Sequence, residues 1–338
     1  MSAASALLAV TMGDACGIGP EVVARACAAH LPAPCVVVGS VDVLRRAVRA
    51  CALDLPVLRL DDPESARDVP LRTVPVWEPP SLPTGLAELA MGTVQTDAGR
   101  AAIVCIEAAT DLALQRRVSA VVTAPVHKQA LAAAGSPFPG HTEMLQARAR
   151  GAGGLPEVRM MLANDELRVV LVTIHVALKR AIELLSIDGI ATTIRLAHEA
   201  GQRFGMAAPR IAVAGLNPHA GEHGILGEED ERFIRPAVAR ARAQGIDADG
   251  PLSADTLFPR AAAGQVDLVV AMYHDQGHIP VKLLGRDKGV AVTLGLPFLR
   301  MSPDHGAAFD IAGQGVARPG SMTAAIRAAA AAGRDGHR

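Results

Sequence analysis

Short apolar runs, each closed by a polar turn and followed by an amphipathic stretch, recur along this chain. That alternation restricts the fold more than any other feature. Val266 to Ala271 is one such run, and it leads into Met272-Tyr273-His274-Asp275-Gln276-Gly277-His278-Ile279-Pro280-Val281-Lys282. Ile211 to Ala214 is another, and leads into Leu216-Asn217-Pro218-His219-Ala220-Gly221-Glu222. Val169 to Ile174 ends on His175. Runs of this length bounded by turns read as strands. Strands that alternate with amphipathic stretches build βαβ units around a parallel sheet. The expected fold class is therefore α/β. Aromatic residues are only 2% of a chain that is 50% hydrophobic, so the core must be mostly Ala, Val, Leu and Ile. That core suits helices packed on a parallel sheet.

Further elements follow the same pattern. Ala6 to Met12 reads as a strand, Gly13 to Gly19 as a turn, and Pro20 stands where a helix would start. Val36 to Gly39 and Ala120 to Thr123 are strand-like. Thr96 to Arg117, Asp188 to Phe204 and Glu228 to Gln244 read as helices. Pro70 to Pro83, with five prolines, reads as an extended excursion. The Ala-rich stretch after Ser321 reads as a final helix that frays from Gly333 to Arg338. At 338 residues there is chain enough for two domains.

Composition excludes several functions. A formal net charge of -1 gives no global pull toward nucleic acid or anionic membrane, and the scarcity of aromatics removes a base-stacking surface. No apolar stretch approaches the ~20 residues of a membrane helix. The N-terminus lacks a basic region and a clear cleavage site. Cys16, Cys27, Cys35, Cys51 and Cys105 form no C-x-x-C pair and read as reduced thiols. A soluble cytoplasmic protein is expected.

The histidines carry the clearest chemistry. His175, His219 and His274 each close a predicted strand, where open α/β sheets build their sites. Glu222 follows His219 and Asp275 follows His274, so a divalent-metal site assembled by the fold is expected. Gly140-His141-Thr142-Glu143 precedes a helical stretch, Met144 to Arg150. A helix start with two added donors, His141 and Thr142, is a seat for phosphate or carboxylate; the plainer alternative is an N-cap by Thr142. Lys282 and Arg300 are cations in apolar stretches, and a buried cation needs a partner that an anionic ligand can supply. Surface placement is the alternative, above all for Lys282. The glycine-rich turn Thr11 to Glu21 is neither the G-x-G-x-x-G dinucleotide fingerprint nor a Walker loop.

Six stretches, TMGDACGIGPE (11–21), TAPVHK (123–128), GHTE (140–143), LNPHAGE (216–222), MYHDQG (272–277) and GVAVTLGLPFLRMSPDHGAA (289–308), together resemble the PdxA family, the 4-hydroxythreonine-4-phosphate dehydrogenases of pyridoxal phosphate biosynthesis. They stand in the family's order and span nearly the whole chain. The resemblance implies a two-domain α/β/α sandwich like isocitrate and isopropylmalate dehydrogenases, with the active site in the interdomain cleft. On that scheme residues 1–125 and 306–338 form the first domain and 126–305 the second. It also implies a homodimer with a shared site, a phosphorylated small-molecule substrate, NAD (with NADP compatible), and a divalent metal such as Zn, Mg, Mn or Co. Position by position, His175, His219 and His274 match metal ligands. Asp255 and Asp275 match carboxylates near the metal. His141, Thr142, Lys282 and Arg300 match residues that hold the phosphorylated substrate. Asp255, Asp275 and Lys282 are the candidate catalytic proton acceptors.

The implied reaction is NAD-dependent oxidation and decarboxylation of a phosphorylated 3-hydroxy acid, with 4-phosphooxy-L-threonine first. The chain also departs from the pattern. Ala291 replaces an Asn of the substrate-binding set, and Ala15 and Cys16 replace Pro and Ala in the glycine turn. His278 in HDQGHIPVK, where the vitamin B6 enzyme has HDQGLPVLK, resembles a paralogous branch acting on 4-phospho-D-threonate or 4-phospho-D-erythronate. A cis-dihydrodiol dehydrogenase, a phosphate acyltransferase-like enzyme and an inactive binding homologue are further alternatives. Retention of GHTE and of all three histidines argues against them.

Overall fold

The first predicted strand forms as β1 (Leu8–Thr11), and all four of its residues are buried, as a parallel strand covered on both faces requires. The computed structural model describes residues 7–285 and 288–335. After β1 come α1 (Gly19–Ala28), β2 (Cys35–Val38), α2 (Val41–Ala50), β3 (Val57–Leu60), β4 (Val74–Trp77), α3 (Thr96–Leu114), β5 (Ala120–Thr123), α4 (Lys128–Ala133) and α5 (His141–Arg148). Then follow β6 (Arg159–Ala163), β7 (Arg168–Leu171), α6 (Leu178–Glu183), α7 (Ile187–Arg203), β8 (Ile211–Ala214), α8 (Arg235–Ala243), β9 (Ala248–Leu252), α9 (Ala254–Ala262), β10 (Leu268–Ala271), α10 (His274–Gly285) and β11 (Val290–Leu294). The chain closes with β12 (Leu299–Pro303) and α11 (Gly320–Asp335). The fold class is α/β, as expected.

These elements form two units, Met1–Glu157 with Leu296–Arg338, and Val158–Gly295. The crossings differ from the 125/126 and 305/306 scheme, for two reasons. α5 packs on α3, and β12 pairs in parallel with β5, Arg300 opposite Val121. Both segments therefore belong with the first unit.

In the first unit the strand order is β3-β4-β2-β1-β5-β12, and every pair is parallel. The turn after β1 needs a glycine. Gly13 has φ +75, and a Cβ there would stand 2.5 Å from the Pro125 carbonyl oxygen. Pro20 lies in the first turn of α1, as its fixed φ predicts. The proline-rich stretch holds β4, so it is extended and part of it is paired.

In the second unit the order is β11-β6-β7-β10-β8-β9. β7, β10, β8 and β9 run parallel, but β6 is antiparallel to both neighbours. The sheet is therefore mixed. β6 and β7 are joined by a tight turn in which Asn164 Oδ1 accepts from the Glu166 and Leu167 N–H groups, and only an antiparallel pair allows so short a link.

Other boundaries move by a few residues. β7 stops at Leu171, short of Ile174, although the Val172 and Thr173 N–H groups still donate to the Ala271 and Met272 carbonyls. The helix expected over Glu228 to Gln244 opens with a π turn, Asp230–Ile234, before α8 begins. Residues 336–338, part of the expected frayed end, lie outside the described residues. All five cysteines are buried free thiols, and burial pushes Cys27 up to about 12 and Cys16 to about 11. No helix among the described residues is long and apolar enough to cross a membrane.

Candidate active site

In the second unit the three predicted histidines follow three neighbouring strands. β7, β10 and β8 are adjacent and parallel, so their C-terminal ends share one edge of the sheet. Side chains then tie those ends together. Thr173 Oγ1 donates to the Met272 carbonyl at 2.8 Å. Gln276 accepts from the Met272 N–H at 2.7 Å and donates to the Gly215 carbonyl at 2.7 Å. Gly277 lets α10 lie directly on the sheet, because a Cβ there would meet Val169 and Leu171 side chains below 3 Å.

The rings of His175 and His274 come within 5.4 Å of each other, centroid to centroid. Imidazole nitrogens at ~2.0–2.1 Å from one ion would place two centroids roughly 5 Å apart at a tetrahedral angle, so this pair has the spacing of two ligands. His274 Nδ1 lies 2.7 Å from Asp275 Oδ1. That bond orients the ring and leaves Nε2 as the nitrogen for a metal. His219 takes a different position. It lies in a left-handed segment, with φ +52 at His219 and +53 at Ala220. Ser253 Oγ donates to Asp255 at 2.5 Å and holds that carboxyl below its usual range. Among the described residues no three His, Cys, Asp or Glu side chains are gathered closely enough to hold an ion. The structure thus brings together His175 and His274, and His219 is not gathered with them into a three-ligand group.

Two residues of this region have site roles that sequence reasoning misses. Asp230 is fully buried and accepts from the Leu216 and Asn217 N–H groups at 2.8 and 3.1 Å and from Asn217 Nδ2 at 2.9 Å. It fixes the turn that carries His219. In sequence it lies in an acidic run that reads as a solvated helix face. His278, 4% exposed, stands one helical turn beyond His274 with ring centroids 4.0 Å apart. The i,i+4 spacing is a usable signal only because α10 is a helix. Lys282, further along α10, is exposed, as the plainer reading of a lone lysine has it.

Arg300 is the opposite case. It is 6% exposed, and its Nη2 and Nε donate to Thr123 Oγ1 at 2.6 and 3.2 Å. Burial lowers its pKa to about 10, and the nearby charge of Glu143 works against that shift. His141 is close enough to feel the arginine. Burial first, and the Arg300 charge second, hold the His141 ring down at about 3, so the imidazole is neutral. The ring bonds to the Ala124 backbone, while its Nε2 is buried without a hydrogen-bond partner. α5 starts at His141, and its N-cap is Gly140 with no side-chain cap. Thr142 is therefore not the cap, and the plainer reading of GHTE is corrected. A buried guanidinium and a helix N-terminus together suit an anion, and the unprotonated His141 Nε2 suits a donor on the same ligand. Ala291 packs in the apolar core of the second unit with Leu162, Leu167 and Val281, so no amide is offered at that position.

A parallel-stranded α/β scaffold with histidine and carboxylate side chains at its strand ends defines an enzyme of the doubly wound class. The chain belongs to the family of the pyridoxal phosphate biosynthetic protein PdxA, whose model matches residues 31–329. It is 49% identical over 325 residues to a 4-hydroxythreonine-4-phosphate dehydrogenase of Beijerinckia indica subsp. indica, covering 94% of this chain and 93% of that one. It is 47% identical over 326 residues to a D-threonate 4-phosphate dehydrogenase of Cupriavidus necator, covering 95% of each. A crystal structure of the Klebsiella pneumoniae 4-hydroxythreonine-4-phosphate dehydrogenase matches with a TM-score of 0.89 at 44% identity, over 97% of this chain and 100% of that one. The chain is an oxidoreductase, and dehydrogenase chemistry calls for a nucleotide cofactor.

Proposed function

We propose that this enzyme oxidises and decarboxylates a phosphorylated 3-hydroxy acid, with 4-phosphooxy-L-threonine as the first candidate substrate. The observation that carries the reading is the buried Arg300 beside the start of α5, because a buried guanidinium and a helix N-terminus both favour an anion. The substrate phosphate goes to Arg300, His141 and Thr142, and supplies remote binding energy that orients the reacting carbon. Lys282 is the further cation that the family resemblance assigns to substrate.

His175 and His274 would hold a divalent ion, with His219 as the third donor of the resemblance. Such an ion, when bound, supplies Lewis-acid polarisation of the substrate hydroxyl. NAD is the proposed cofactor and would supply the hydride acceptor for this oxidation. The protein's own groups manage position and protons. Asp275 fixes the His274 ring. Asp255, kept ionised by Ser253, is the foremost acceptor for the hydroxyl proton, with Asp275 and Lys282 as the other candidates. A homodimer is part of the proposal. It is supported by exposed apolar side chains of the second unit, Ile279, Leu283 and Leu284 on α10 and Val176 and Leu178 at α6, which a second copy would cover.

A second reading has specific support. His278 and Ala291 depart from the vitamin B6 pattern, and relatives such as that of Cupriavidus necator are D-threonate 4-phosphate dehydrogenases. The two substrates differ at C2, where one bears an ammonium and the other a hydroxyl. An unmatched buried polar group costs ~1–3 kcal/mol, a roughly ten- to hundredfold preference in kcat/KM. Measuring NAD reduction with both compounds, with and without divalent metal, decides between them. Equal turnover of phosphorylated and dephosphorylated substrates would remove both readings.

A further inference from the structure

We infer that Thr123 is the positioning residue of the anion seat: its hydroxyl fixes the Arg300 guanidinium, so that the cation meets an incoming phosphate in one orientation. The inference rests on the phosphate seat proposed above and adds to it a residue that acts on the ligand through another.

The sheet sets the positions. Thr123 is the last residue of β5, and Arg300 lies on the neighbouring parallel strand β12, opposite Val121. Side chains two residues apart on a strand share a face, so the Arg300 side chain reaches along that face toward the C-terminal end of β5. Thr123 is fully buried and Arg300 nearly so. Nη2 and Nε of Arg300 donate to one oxygen, Thr123 Oγ1, at 2.6 and 3.2 Å. These groups form one edge of a planar guanidinium, and pinning an edge fixes the plane of the whole group. Ala124, next in sequence, bonds through its backbone to His141. The dipeptide Thr123-Ala124 thus holds both Arg300 and His141.

Threonine suits the task. Its branched Cβ restricts χ1, so the strand backbone sets the direction of the hydroxyl. A hydroxyl is also a neutral acceptor. It holds the guanidinium without neutralising it, whereas a carboxylate in its place would take up the charge that an anion needs. Valine has the same shape and no acceptor. Serine keeps the oxygen and loosens χ1.

The test is calorimetric titration of the full-length protein with inorganic phosphate, with thermal melts of each variant. The proteins compared are wild type, Thr123→Val, Thr123→Ser, Arg300→Met and the double variant Thr123→Val with Arg300→Met. Thr123→Val should bind phosphate on the order of tenfold more weakly, the scale of one hydrogen bond to a charged group. Thr123→Ser should fall between it and wild type. In NMR the Arg300 Nε–H signal should be sharp in wild type, broaden in Thr123→Val and sharpen again in Thr123→Ser. In the Arg300→Met background the valine change should not lower the melting temperature, because the hydroxyl has no guanidinium left to hold. If Thr123→Val does not fold, Thr123→Ala takes its place in the same comparisons. Wild-type phosphate affinity in Thr123→Val, while Arg300→Met has lost it, would overturn the inference and leave the seat standing. A serine variant as weak as the valine one would also overturn it, because the oxygen would then not be what matters. If Arg300→Met binds phosphate like wild type, the seat itself is wrong and the inference falls with it.

Discussion

The two units hold their polar groups in opposite ways. In the first, Arg300 is buried and His141 is forced neutral. In the second, Asp275 and Lys282 face solvent and Asp275 orients the His274 ring. The first arrangement holds its guanidinium out of water, where each hydrogen bond to a ligand is strong. The second leaves its carboxylate and amine in water. Burial tunes the anion seat, whereas hydrogen bonding tunes the histidine cluster.

The largest effect should come from breaking the buried side. Arg300→Met removes the buried cation, and with bonds to a charged group worth ~1.5–3 kcal/mol each, kcat/KM for the phosphorylated substrate should fall on the order of a hundredfold or more. Stability should be unchanged or higher, because the cost of burying the charge disappears. A melting temperature that drops along with activity would mean that Arg300 is structural.

Asp230→Asn probes the scaffold of the other side. It replaces a fully buried acceptor of several N–H bonds by a group with one acceptor oxygen, and should cost about 2 kcal/mol in urea unfolding. A loss under half of that would show that the His219 turn holds without it. Asp275→Asn should leave stability alone and weaken cobalt binding about tenfold, the effect of removing an orienting partner from a metal-binding imidazole. Identical affinities in the two proteins would detach Asp275 from the metal.

A further test is the pH dependence of stability. The folded pKa of His141 is lowered to about 3 from 6.5, so the unfolded chain takes up the proton first as pH falls. Its contribution to stability is full above about 6.5 and drains as pH falls toward about 3. Ring NMR of the phosphate-free protein should show a neutral His141 at pH 5, and His141→Gln should flatten the pH dependence of the urea midpoint in that window. A ring that titrates near 6.5 would put His141 in solvent and erase the contrast between the units.

Much of this contrast rests on elements that are legible in the sequence. β5 and β8 coincide with the predicted runs, because four consecutive residues of this kind between turns leave a buried strand little room to shift. The family motifs likewise point to the residues at the strand ends. α10 is hidden as a helix, since Pro280 and Gly277 interrupt its pattern. The approach of the His278 ring to His274 is hidden with it.

The sequence by itself determined the α/β class, the strand-end placement of His175, His219 and His274, and the helix start at GHTE, because each is set by local periodicity and turn chemistry. Only the tertiary structure decided that Arg300 is buried and Lys282 exposed, although both lie in apolar stretches. It alone placed β7, β10 and β8 side by side, set β6 antiparallel, and brought the His175 and His274 rings together. Strand order and burial depend on residues far apart in the chain, and no local pattern of hydrophobicity encodes which distant partner a strand will take.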